Sequence, residues 1–105
     1  MTVQRSAFED VNPHFAARSR DLLGEIWERP GLSKRDRSLI TVAAMTALYR
    51  TNQLRGHLRR ALDNGVTKEE LVEVIEHMAF YAGWPCAVNA AKSGMALFEA
   101  NPPKA

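Results

Sequence analysis

Apolar residues recur along this chain at helical spacing, and no stretch alternates apolar with polar in the manner of a strand. The clearest case is Leu71, Val74, Ile75, Met78, Ala79 and Ala82, which fall at i, i+3, i+4, i+7, i+8 and i+11. Local signals place the ends. Asn12-Pro13 reads as an N-cap with proline at the first helical position, opening a helix over 13–28 that Pro30-Gly31 stops. Its apolar residues are Phe15, Leu22, Leu23, Ile26 and Trp27. Ser33 with Asp36 three residues on resembles a capping box and predicts a helix over 34–49. A third helix over 51–64 ends at Asn64-Gly65, a left-handed stop, with Leu54, Leu58, Ala61 and Leu62 as its apolar positions. Thr67-Lys68-Glu69-Glu70 caps a fourth over 68–82. After Gly83, Pro85 sits in the first turn of a fifth over 85–100, which carries the small residues Ala87, Ala90, Ala91 and Gly94.

These elements predict an all-α fold, five helices joined by short loops. The helix over 34–49 is apolar nearly all round from Leu39 to Tyr49 and is expected at the centre. A bundle this small with so much apolar helix face has more of it than one copy can cover, which predicts a homo-oligomer.

At 105 residues the chain is expected to form one domain over 1–105, burying roughly two-thirds of its unfolded surface. Hydrophobic residues at 46% and charged residues at 25% exclude a disordered chain. No apolar run approaches the ~20 residues of a membrane span, and the opening MTVQRSAFED has no basic-then-apolar signal region. One cysteine, Cys86, excludes an intramolecular disulfide and a multi-cysteine zinc site. A cytoplasmic protein with no membrane partner is the simplest expectation.

The net charge of +2 conceals a division. Lys34, Arg35, Arg37, Arg50, Arg55, Arg59 and Arg60 form a basic block with only Asp36 among them, and Asp63, Glu69, Glu70, Glu73 and Glu76 follow. Such blocks pair within a subunit, pair between subunits, or leave a basic pocket for an anion. Nucleic-acid docking is not expected. The helix over 34–49 is too apolar to lie in a groove, and the basic residues lack one uninterrupted exposed face.

His57 is the position most suggestive of chemistry, lying on the inward stripe between Leu54 and Leu58. A polar group there needs a partner, because burying it unpaired costs roughly 1–3 kcal/mol. It is therefore either a hydrogen-bonded core histidine or an acid/base group near arginines. Arg37 with Arg55 or Arg59 could clamp a carboxylate, or pair with the Glu-rich helix. Tyr81 and Trp84 flank the Gly83 break as pocket wall or as packing. Cys86, in the first turn of its helix, is a reactive thiol or a small apolar residue. Glu73 and His77 share a face but lack a third ligand, so no metal site is expected.

The RPGLS-x-RDRSL-[IV]-T opening, H-L-x-x-A-x-x-N-G-V-T-x-E-E-L and Y-A-G-W-P-x-A-x-N-A together span about Leu22 to Ala100. In combination they resemble the carboxymuconolactone decarboxylase family. The resemblance implies an all-helical subunit of the alkyl hydroperoxidase D-like type, assembled as a trimer or hexamer. Peroxidase members of that superfamily use C-x-x-C followed four residues later by histidine, with a glutamate upstream. Matching that histidine to His57 puts the thiol positions at Arg50 and Gln53 and the glutamate near Ser38, so a disulfide relay has none of its groups here.

The decarboxylase branch implies loss of CO2 from a small anionic lactone or cyclic carboxylate with no metal or organic cofactor, in aromatic-compound catabolism. Under that reading His57 donates the proton, Arg37 and Arg55 bind carboxylate or oxyanion, and Tyr81, Trp84 and Cys86 line the substrate. Two alternatives stand beside it: a peroxidase-type protein relying on Cys86, and a non-catalytic member that binds a small ligand.

Overall fold

Side-chain caps begin three of the helices. In the computed structural model, which describes residues 7–100, Asn12 Oδ1 accepts from the Phe15 backbone N–H at 3.0 Å and Ser33 Oγ from that of Asp36 at 3.0 Å. Thr67 and Glu70 exchange side-chain-to-backbone bonds at 3.1 and 2.9 Å, a complete capping box. The described residues form six α-helices and no strand: α1 Ala7–Val11, α2 Pro13–Glu28, α3 Lys34–Ala47, α4 Thr51–Asp63, α5 Lys68–Ala82 and α6 Trp84–Ala100.

The all-α expectation stands, with one helix more than the five predicted. The addition, α1, has five residues, too few to show a periodic pattern. Both expected stops at Gly65 and Gly83 are glycines at φ 96° and 108°, a backbone that side chains with a Cβ rarely adopt. α3 closes at Ala47 rather than position 49, because Tyr49 takes the left-handed conformation at φ 65° and turns the chain into α4.

The chain divides into two compact units, one ending at Leu32 and the other beginning at Ser33. In the first, α1 packs on α2, Ala16 is buried, and Arg20 pairs with Glu9. Phe15, Leu22, Leu23 and Ile26 remain exposed on α2.

The second unit is a four-helix assembly in which α3 packs against α4, α5 and α6, and α6 also packs against α4 and α5. Val42, Leu54, Leu58, Ala61, Val66, Leu71, Ile75 and Ala90 form its core. At Gly94 α6 packs tightly against α4: a Cβ there would stand 3.0 Å from Leu58 Cδ1 and 2.6 Å from the Phe98 ring. α3 is central, as its apolar residues predict, yet Ile40 and Leu48 beside its end are more than half exposed. The hydroxyls of its two buried polar residues, Thr46 and Ser38, are satisfied. Thr46 Oγ1 donates to the Val42 carbonyl at 2.8 Å, and Ser38 Oγ accepts from Asn64 Nδ2 at 3.0 Å. That last bond aligns the start of α3 with the end of α4, so the two helices run antiparallel.

Candidate active site

α4 positions the histidine. Leu54, Leu58 and Ala61 are buried along one stripe of this helix, and His57 sits half-buried on its flank. Burial first, and the neighbouring Arg60 guanidinium second, hold the imidazole below its ordinary pKa of 6.5. Both effects favour the neutral ring over the imidazolium. No hydrogen bond is made by His57 among the described residues, so it differs from a core histidine locked to a partner.

Helix geometry separates His57 from Arg55. Residues two apart on a helix point to nearly opposite sides. Arg55 is exposed and turned toward α6, where its Nε donates to the Ser93 carbonyl at 3.4 Å. Arg37 lies in the first turn of α3, half-buried, with its Nε shielded from solvent. The Ser38–Asn64 bond sets that turn beside the end of α4. His57 is seven residues from Asn64, about 10 Å along the helix axis at 1.5 Å per residue. The three residues thus occupy three places on the α3–α4 pair.

Tyr81 and Trp84 are 76% and 63% exposed, so within one copy they form an open aromatic strip rather than the wall of a closed pocket. Tyr81 stacks obliquely on His77 with ring centres 4.9 Å apart, and Trp84 meets Phe80 edge-on at 5.5 Å. Cys86 is half-buried in the first turn of α6, its thiol directed at the carbonyls of Ala82 at 3.4 Å and Ala47 at 3.8 Å. Part of the basic block is paired with the acidic one: Arg35 with Glu70, and Arg59 with Asp63 at 3.6 Å. Among the described residues no group of three His, Cys, Asp or Glu side chains could hold a metal ion. Nor is any described helix long and apolar enough to cross a membrane.

An open cavity of about 510 Å³ lies where α3 turns into α4, lined by Met45, Tyr49, Arg50, Thr51, Asn52 and Gln53. The Tyr49 hydroxyl is held by Asn89 Nδ2 of α6, which fixes one wall. Arg50 occupies the N-cap of α4, and no described side chain caps that end. Sequence reasoning passed over this group because Arg50 and Gln53 stand where peroxidase relatives carry thiols. The signal that could have found it is the four-residue spacing of Gln53 and His57, which puts both on one side of α4.

A family model described as the carboxymuconolactone decarboxylase family matches residues 13–93. A 4-carboxymuconolactone decarboxylase of Acinetobacter baylyi is 55% identical over 73 residues, covering 70% of this chain and 54% of that protein. A nitrosuccinic acid decarboxylase of Metarhizium robertsii is 39% identical over 67 residues, 64% of this chain and 47% of its own length. An uncharacterized 15.0 kDa protein from the nqo9–nqo10 intergenic region of Paracoccus denitrificans is 29% identical over 107 residues, 88% of this chain and 80% of that one. The chain spans about half the length of the two decarboxylases it matches. With the family's pattern running through α2 to α6, the chain belongs to the carboxymuconolactone decarboxylase family.

Proposed function

We propose that this chain carries the chemistry of a carboxy-lyase that removes CO2 from a small lactone or cyclic carboxylate without metal or organic cofactor. The observation that carries the reading is the match to two proteins of different organisms that are both named decarboxylases. The half-buried, unbonded imidazole of His57 supplies a group suited to the proton transfer.

In the reaction, the C–C bond to the departing carboxylate breaks and its electron pair spreads into the unsaturated lactone as a dienolate. A ring carbon of the dienolate then takes the proton from the His57 imidazolium, leaving neutral imidazole and the decarboxylated lactone. A proton from water resets the ring. Burial and Arg60 disfavour the imidazolium in the free protein, so binding must favour the donor form. An anionic carboxylate arriving beside the ring does this, because an opposite charge within a few ångströms raises its pKa. Arginine is the ligand for the anion and for the developing oxyanion. Of the two named from the sequence, the half-buried Arg37 suits this role better than Arg55, which is exposed and donates to Ser93. Tyr81, Trp84 and Cys86 would meet substrate on the α5–α6 side. The thiol-peroxidase alternative has less support, since the two bonds the thiol makes go to backbone carbonyls rather than to an acid or base.

The same reading takes the protein to be a cytoplasmic homo-oligomer, a trimer or hexamer, whose partners are copies of itself and an anionic small molecule. The test is to incubate the purified protein with 4-carboxymuconolactone and follow CO2 release together with lactone absorbance. Turnover that His57→Gln reduces at least 100-fold, with unfolding temperature retained, is the expected result. Absence of turnover, or turnover indifferent to His57, overturns the assignment.

A further inference from the structure

We infer that the cavity at the α3–α4 turn is a carboxylate subsite, in which Arg50 and Gln53 hold one carboxylate of a dicarboxylate substrate while His57 serves the other end. The inference rests on the decarboxylase reading for its substrate class, though the binding it describes stands without turnover.

Three observations converge on it. The cavity is lined by one cation, Arg50, by the polar side chains of Thr51, Asn52, Gln53 and Tyr49, and by Met45, with no carboxylate among them. Its charge therefore suits an anion. Arg50 makes no ion pair among the described residues and is exposed, so its guanidinium is available for two parallel hydrogen bonds to a carboxylate. In contrast, Arg35 and Arg59 are paired with Glu70 and Asp63, and Arg55 donates to α6.

The second observation is direction. Gln53 and His57 lie four residues apart on one side of α4, whereas Arg55 points to the other. Four residues rise about 6 Å along the helix. That interval is close to the end-to-end span of an extended six-carbon dicarboxylate. Arg50 lies one turn further from His57, so a molecule held at Gln53, with the long Arg50 side chain reaching the same carboxylate, extends along α4 toward the imidazole.

The third is support. Tyr49 is held by Asn89 of α6, so the wall of the cavity is tied to the neighbouring helix. The N-terminus of α4, whose first residues line the cavity and which no described side chain caps, adds favourable partial charge to the subsite.

The experiment uses trans,trans-muconate, a dicarboxylate that cannot follow the lyase route, and sorbate, its trans,trans monocarboxylate counterpart. Both are titrated into the full chain while backbone amide signals are followed by NMR. In the wild-type protein, muconate should shift the amides of Thr51, Asn52 and Gln53, and should bind at least tenfold more tightly than sorbate. Arg50→Gln should erase that preference without changing the unfolding temperature, since Arg50 is exposed. Gln53→Leu should weaken muconate binding and leave sorbate unaffected. Shifts centred on Arg55 and Ser93, or a preference for muconate that survives Arg50→Gln, would overturn the inference. Muconate binding at Thr51–Gln53 in a protein that shows no turnover removes the lyase assignment and leaves the subsite standing. Turnover of 4-carboxymuconolactone with KM unchanged by Arg50→Gln does the reverse.

Discussion

His57 has two properties that pull against each other in a proton donor. Its burial lowers the pKa, while donation needs the protonated ring. The conflict gives a signature in the pH profile. The fraction of free protein carrying imidazolium falls as pH rises through the depressed pKa, so kcat/KM should decline along a basic limb centred below 6.5. In the complex the bound carboxylate stabilises the imidazolium, and the corresponding limb of kcat should lie at higher pH. Coincident limbs, or a kcat/KM limb above the ordinary value of 6.5, would show that the donor is another group. The inward stripe of α4 pointed to the histidine, because Leu54 and Leu58 bracket it in the sequence. Its partners were less legible. Closeness in sequence suggested Arg55, yet two residues along a helix is the spacing that parts side chains. Arg50 gave no such cue. Its value lies in a cavity that exists only once Tyr49 has turned the chain.

Helix boundaries follow from residues that act on their own backbone, and such residues can be read one at a time. Asn12, Ser33, Thr67, Gly65 and Gly83 all act as their identities predict. Tyr49 does not: an aromatic residue in the left-handed region is uncommon, and nothing in its side chain announces it. Two substitutions probe the elements. Thr67→Ala removes half of the capping box of α5 and should cost about 1 kcal/mol in urea unfolding. Gly94→Val drives branched carbon into Leu58 and the Phe98 ring, adds no helix propensity of note, and should cost on the order of 1–3 kcal/mol. A Gly94→Val variant as stable as wild type would mean that α6 can withdraw from α4 without loss.

At the scale of the whole molecule, one copy leaves large apolar side chains in water. Phe80, Tyr81 and Trp84 are all more than 60% exposed, and Ile40 and Leu48 more than half. Aromatic surface of this extent is rimmed by polar residues in proteins that associate. Light scattering should therefore report a mass that is a multiple of the monomer, and Trp84→Glu should shift the population toward single subunits. A wild-type protein that is monomeric at micromolar concentration would refute self-assembly. The excess of apolar helix face was visible in the sequence, in the run from Leu39 to Tyr49. Which copies meet, and where, depends on surfaces that no one-dimensional pattern specifies.

The opposed directions of Arg55 and Gln53 on α4 have a consequence for how such a protein can change. The helix presents Arg55 to Ser93 of α6 on one side and Gln53 to the cavity on the other. Both sides lean on α6, through Asn89 and through Ser93, but Arg55 and Gln53 themselves touch different residues, so substitutions at these two positions should combine additively while the Tyr49–Asn89 bond is kept. A lineage, or a designer, can thus retune what is held at Arg50 and Gln53 while the joint through Arg55 and Ser93 stays intact.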